Sequence, residues 1–286
     1  MEDLKRIAAV HDISGFGKCS LTVALPVISA SGVECSCLPT ALLSTHTGGF
    51  EGYTFKDLSD EMLPIAKHWK KENVTFDGIY SGYLASAGQA EMLEEIIGIL
   101  STEKTKIIVD PVMADNGKYY SHFGDEMCRA FRRLCGKAHI ITPNITEASL
   151  LTDMPYKEGP HDREYIEQLA KRLSGICGGI IAITGVSPEK NSVGVYAFNT
   201  RTGEECLSVR PVREGIFHGT GDIFASAFAA LMIRGAKLAD AAETAISLVS
   251  ESIDRTSARG TPRRNGVDFE GALPYYIQKV SELFSK

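Results

Sequence analysis

The chain has 286 residues, 44% of them hydrophobic and 23% charged, with a formal net charge of −6. That is ordinary globular composition, long enough for one large or two small domains around a sizeable core. The acidic balance speaks against a nucleic-acid-binding surface, and the lack of an apolar run of about 18 residues speaks against a membrane span.

The opening residues, "MEDLKRIAAVHD", begin with two acids and do not read as a leader peptide. A cytoplasmic location is therefore expected, with the seven cysteines as reduced thiols. Cys35 and Cys37 form a C-x-C pair, but no CxxC occurs and no cysteine metal site is expected. Arg6–Val10 predicts a first strand, followed by "HDISGFGKCS" and a helix over Leu21–Ser31. Val33–Leu38 predicts a second strand, followed by "PTALLSTHTGGFEGY" and a helix over Leu58–Lys71. The pattern continues with strand Gly78–Tyr80, "SGYLASAGQ" and helix Ala87–Leu100, then strand Lys106–Val109, "DPVMADNGKYY" and helix Asp125–Leu134. Strand Ala138–Ile141 leads to "TPNITEA" and helix Arg163–Leu173. Ile180–Thr184, Val193–Phe198 and Cys206–Val209 have no helix between them, and "NTRTGE" reads as a turn, which predicts an antiparallel edge. Helices over Gly221–Ile233, Leu238–Arg255 and Gly271–Phe284 complete the chain. This alternation predicts an α/β fold with a mostly parallel sheet. With no linker, charge block or repeat, residues 1–286 read as one domain.

Ligands of open parallel sheets bind beyond the carboxyl ends of the strands. Each of the first six strands is followed there by polar, glycine-bearing or acidic residues, which together read as the rim of a cleft. "GFGKCS" has the layout of a phosphate-binding P-loop, but that motif needs a glycine where Asp12 stands and Ser or Thr where Cys19 stands. Asp12 would also repel a phosphate. Lys18 is left as a solvated charge near a helix start.

A better anion site lies in "FHGTGDIFASAFAA". Gly219, Thr220 and Gly221 form a turn entering a helix, where free backbone N–H groups and the helix dipole attract anions. Asp222, in the first turn, either favours the helix start or takes a proton from a substrate hydroxyl. A base beside an anion cradle is what phosphoryl transfer requires. Asp110 and Asp115 in "DPVMAD" and Glu147 in "TPNITEA" are oxygen donors suited to magnesium. Asn144 and Glu147 also fit a helix capping box, and the two roles are compatible.

The ordered set HTG, SGYL, DPVM, TPN and GTGD resembles the pyridoxal kinases of the ribokinase-like superfamily, over about Ile7 to Ala258. The resemblance implies a ribokinase-like three-layer α/β/α sandwich that phosphorylates the 5′-hydroxymethyl group of a vitamin B6 vitamer. It implies Asp222 as catalytic base and Gly219, Thr220 and Gly221 as the anion hole. Asp12, Thr47 and Tyr83 would contact the vitamer, and Thr142, Asn144 and Thr184 would line the ATP groove. Asp110, Asp115 and Glu147 would arrange magnesium and phosphates. MgATP, often with a monovalent cation such as K+, and a homodimer are implied as well. The pattern departs at Asp12, where pyridoxal kinases carry a small polar residue, often Ser. A hydroxymethylpyrimidine kinase of the same superfamily is the alternative, and a catalytically silent B6- or nucleotide-binding protein is a third reading. The basic "TPRRNG" around Arg263 reads as a solvated turn, and His46 as a residue that orders its loop.

Overall fold

A computed structural model describes residues 4–285; the acidic start read above, residues 1–3, lies outside the described residues. The first strand, β1 (Arg6–Ser14), shows why the sheet forms. Ile7 and Ala9 pack into one core while Ala8 and Val10 pack into the other, all without solvent exposure. A strand covered on both faces reads as an unbroken apolar run, as this one does.

The remaining strands are β2 (Glu34–Leu43), β3 (Phe55–Asp57), β4 (Gly78–Ser81), β5 (Lys106–Val109), β6 (Ala114–Asp115), β7 (Lys118–Tyr119), β8 (Ile140–Ile141), β9 (Ile180–Val186), β10 (Ser192–Asn199) and β11 (Glu205–Pro211). Nine of them form one sheet in the order β11-β10-β9-β8-β5-β4-β1-β2-β3, and β6 and β7 make a separate hairpin. The six strands from β9 to β2 in that order are parallel. The predicted antiparallel edge is present at β10 and β11, and a second one, not foreseen, is made by β3 on β2. All three β3 residues are exposed, so no apolar pattern marks that strand.

The helices are α1 (Leu21–Ala30), α2 (Ser59–Lys71), α3 (Ala87–Leu100), α4 (Asp125–Lys137), α5 (Ile145–Thr152), α6 (Arg163–Ser174), α7 (Thr220–Ile233), α8 (Leu238–Arg259) and α9 (Phe269–Phe284). Buried residues of α2 to α6 fill the core on one sheet face, and those of α1, α7, α8 and α9 fill the core on the other. The result is the three-layer α/β/α sandwich. α7 is buried on every side from Ile223 to Leu231, as befits a helix with no polar face.

Two departures from the sequence pattern bear on the site. β1 continues to Ser14, four residues beyond its predicted end, because β2 runs alongside it as far as Leu43, with a bulge between His11 and Ile13. Asp12 is therefore a strand residue, whereas the sequence placed it in a loop. α5 is a short helix that periodicity does not reveal. Its start is fixed by a capping box: Asn144 Oδ1 accepts from the Thr146 and Glu147 N–H groups at 2.9 Å, and Glu147 Oε2 accepts from the Asn144 N–H at 2.9 Å. Asn144 Nδ2 also donates to the Ala114 carbonyl at 2.8 Å, which ties the β6–β7 hairpin to the helix. Asn144→Ala is expected to cost about 1–2 kcal/mol, read as a lower urea midpoint with an unchanged slope.

Candidate active site

Strand order reverses at β1: β2 lies on one side of it and β4 on the other. A crevice forms at such a switch point, beyond the strands' carboxyl ends. Asp12 stands on its β1 side and Tyr83 just after β4. Asp12 is almost wholly buried and accepts a 2.8 Å hydrogen bond from Ser14 Oγ. Burial raises its carboxyl above the usual range, opposed by the hydroxyls of Ser20 and Ser14. Burial, with the nearby Asp12 carboxylate and the Tyr53 and Asp57 side chains, pushes the Tyr83 phenol up to about 12. Tyr83 packs on Phe123 with ring centroids 5.6 Å apart. Thr47 is exposed on the loop after β2.

The two glycine-rich segments, about 200 residues apart in the chain, meet here. Gly219 caps α7 in a left-handed conformation, φ 81°, with no side-chain cap. A Cβ at Gly219 would fall 2.2 Å from the Lys18 carbonyl oxygen, so any other residue would push the β1–α1 turn away. Thr220 Oγ1 donates back to the Phe217 carbonyl at 3.2 Å and tightens the turn. The first-turn N–H groups of α7 have no intrahelical acceptors, and they open beside Asp222. Asp222 is half-buried. Burial holds its carboxyl up at about 7; the Ser20 backbone N–H opposes this and the Asp12 carboxylate adds to it.

Lys18 is not the solvated charge expected. Its Nζ pairs with Glu270 at 2.7 Å, because the first turn of α9 folds against the β1–α1 turn. His46 orders its surroundings: its Nε2 lies 2.7 Å from the Arg264 carbonyl, and its Nδ1 accepts from the Gly48 N–H at 3.0 Å. Its ring lies 4.8 Å from that of His218, which immediately precedes the Gly219 turn.

At the neighbouring strand ends the other acids gather. Asp110 follows β5 and is nearly buried; burial, then the nearby Glu147 and Asp222 carboxylates, raise its carboxyl well above the usual range. Glu147 Oε1 accepts from the Met113 N–H at 3.0 Å while Oε2 takes the capping bond, so backbone donors engage both of its oxygens. Those bonds restrain its carboxyl, yet burial still holds it at about 8. Asp115 sits on the exposed end of β6, its carboxylate accepting from the Asn116 backbone and side chain, with His218 facing it. Thr142, Asn144 and Thr184 come together across the ends of β8 and β9: the Thr184 N–H donates to the Pro143 carbonyl at 2.9 Å, and the buried Thr142 hydroxyl stands beside the Asp110 carboxyl and opposes the rise of its pKa.

Among the described residues, neither lysine nor arginine pairs with Asp12, Asp110, Glu147 or Asp222. No group of three His, Cys, Asp or Glu side chains among them suffices alone for a metal ion. Buried carboxyl oxygens without a cation suit a hard divalent ion that takes its remaining ligands from phosphate and water. Residues without a signal in the sequence are Tyr53 and Asp57 beside Tyr83, and Phe50 and Phe217 at the rim; Ser14 and Ser20, beside Asp12, and Arg264, at the rim, lie in quoted segments but had no role there.

Comparison with known proteins gives the family and the fold. A profile of the phosphomethylpyrimidine kinase family matches residues 24–266, and the chain belongs to that family. A crystal structure of a putative phosphomethylpyrimidine kinase from Bacteroides thetaiotaomicron is 37% identical, with a TM-score of 0.91, over 96% of this chain and 94% of that one. An orthorhombic form with pyridoxal gives a TM-score of 0.90 at 36% identity, over 96% of each chain. Pyridoxal kinase from Lactobacillus plantarum is 29% identical with a TM-score of 0.88, over 98% of this chain and 99% of that one. A putative pyridoxal kinase from Schizosaccharomyces pombe is 26% identical over 91% of this chain and 88% of its own length.

The raised carboxyls have a consequence for stability. Asp222 and Glu147 move up to about 7 and about 8 from ordinary values of 3.8 and 4.5, so the ligand-free fold keeps protons that the unfolded chain releases. Their contribution is full below the unfolded values and is lost as pH rises through the folded ones. The melting temperature of the ligand-free protein is expected to fall between about pH 5 and about pH 8, and Asp222→Asn to flatten that fall. Equal slopes in the two proteins would remove Asp222 as a source.

Proposed function

We propose that this member of the phosphomethylpyrimidine kinase family transfers the γ-phosphoryl group of MgATP to the 5′-hydroxymethyl group of a vitamin B6 vitamer, as a pyridoxal kinase does. One observation carries the reading: the Asp222 carboxylate stands beside the uncapped N-terminus of α7, in the same cleft as the Asp12–Tyr83 crevice. The 36%-identical structure with pyridoxal favours a B6 vitamer over hydroxymethylpyrimidine.

The vitamer lies between Asp12, Thr47 and Tyr83, with its hydroxyl toward Asp222. Asp222 accepts the hydroxyl proton, and the vitamer oxygen bonds to the γ-phosphorus. The bond from that phosphorus to the bridging oxygen breaks, and ADP leaves with its electrons. The N–H groups of Gly219, Thr220 and Gly221 stabilise the charge on the phosphoryl oxygens. Thr142, Asn144 and Thr184 border the nucleotide. Asp110 and Asp115, with Glu147 behind them, would hold magnesium, which would neutralise phosphate charge when bound. Glu147 acts there mainly through the Met113 and Asn144 backbone that it holds. A monovalent cation, a homodimer and a cytoplasmic setting belong to the same proposal. Residues 1–286 acting as one kinase domain also belong to it. Among the described residues, no helix is long and apolar enough to cross a membrane.

A coupled ADP-release assay with pyridoxal, pyridoxamine, pyridoxine and hydroxymethylpyrimidine tests the reading; turnover of a B6 vitamer is expected, and turnover of none of the four ends it. Asp222→Ala is expected to lower kcat roughly a hundredfold or more while ATP affinity stays within about tenfold. The Asp12 carboxylate, able to accept from a protonated ring nitrogen or pair with an amine, is expected to favour pyridoxamine or pyridoxine over the aldehyde. Unchanged kcat/KM ratios among the three vitamers in Asp12→Ser would refute that preference.

A further inference from the structure

The cleft is rich in negative charge and poor in positive charge. Asp12, Asp110, Glu147 and Asp222 line it, and a polyphosphate adds more. Lys18, beside the Gly219 turn, is already paired with Glu270. Burial holds the imidazole of His46 below its ordinary value. Among the described residues, two cations at this edge have no carboxylate partner: Arg263 and Arg264, in the single 3-10 turn Arg263–Asn265.

This turn is a strap across the cleft. The Arg263 guanidinium lies 5.2 Å from the centroid of the Phe217 ring. It fills the space over Gly215, where a Cβ would come within 1.4 Å of its Nη1; Gly215, at φ 111°, leaves that space open. Gly215 and Phe217 stand four and two residues before Gly219, on the segment that leads into the anion hole. On the other side, the Arg264 guanidinium lies 5.3 Å from the Phe50 ring of the loop that carries Thr47. The Arg264 carbonyl lies 2.7 Å from His46 Nε2. Gly266 meets the β1–α1 turn, where a Cβ would fall 2.3 Å from the Gly17 carbonyl oxygen. The strap is thus fastened to both lips.

We propose that Arg263 is a catalytic residue of the transfer described above, donating from its guanidinium to the phosphoryl oxygens held at the N-terminus of α7. The assignment rests on the kinase reading. A guanidinium laid on an aromatic face is oriented before the ligand arrives, and its planar fork matches phosphate geometry. Phosphoryl transfer runs through a transition state whose spread negative charge an arginine from the same chain can neutralise. Arg264 is the positioning residue: its stacking on Phe50 and its carbonyl bond to His46 hold the strap in register.

The test is steady-state kinetics with MgATP and pyridoxal on wild type, Arg263→Ala and Arg263→Lys, each checked by thermal melting. Arg263→Ala is expected to lower kcat about a hundredfold or more, with the vitamer KM within about threefold, and added guanidinium to restore part of the rate. Loss of packing alone would not respond to guanidinium. Arg263→Lys keeps the charge but not the fork, and is expected to lose about tenfold or more at an unchanged melting temperature. It stands in if the alanine variant fails to fold. A kcat within about threefold of wild type in either folded variant, or a loss in Arg263→Ala that guanidinium leaves untouched, overturns the assignment. Wild-type turnover with an unaffected variant sinks only the role of Arg263, whereas no wild-type turnover of any vitamer sinks the kinase reading.

Discussion

Four carboxyl groups gathered in one cleft, three of them buried and Asp222 half-buried, with no lysine or arginine paired to them among the described residues, set the terms for the rest of this molecule. A buried carboxylate is costly unless something compensates it. The fold compensates in three ways. Backbone N–H groups crowd Glu147, hydroxyls face Asp12, and the positive end of α7 opens beside Asp222. What remains uncompensated is met by protons when the cleft is empty. Any cation entering the cleft changes that balance, so its binding and proton release are linked.

The α7 helix is where the electrostatics and the packing join. It is sealed on all sides by apolar and small residues, so its axis has little freedom to shift. Its N-terminus is left uncapped by any side chain, and its free donors stay available to a ligand. Rigid placement and unsatisfied polarity are opposing demands on one helix. They coexist because the first is met along its body and the second at its end.

The layered fold was legible in the sequence because strands buried on both faces carry unbroken apolar runs, and because the long helices are strongly patterned. The elements missed were those without such a signal: β3, with every residue exposed, the two-residue strands β6 and β7, and the eight-residue α5. The end of β1 was misplaced because Asp12 and Ser14 are polar, and strand pairing rather than hydrophobicity extends it. That GTGD, DPVM and TPN meet at one edge of the sheet was legible because each follows or caps a strand or helix end with several polar constraints in a few adjacent positions. The strap was not. Arg263 and Arg264 look like any exposed basic turn until Phe217, Phe50 and His46 are found against them. Lys18 was misjudged for the same reason, since its partner Glu270 is 252 residues away.

The contact between the Lys18 carbonyl and Gly219, closed over by Gly266 against Gly17, also orders events in time. The β1–α1 turn is made some 200 residues before the backbone it rests on, and the strap is made later still. A nascent chain can lay down much of the central sheet before either arrives. It cannot close this corner until Gly219 and Gly266 have been made, so the contact between these distant segments is a late step whatever the order in which the strands pair.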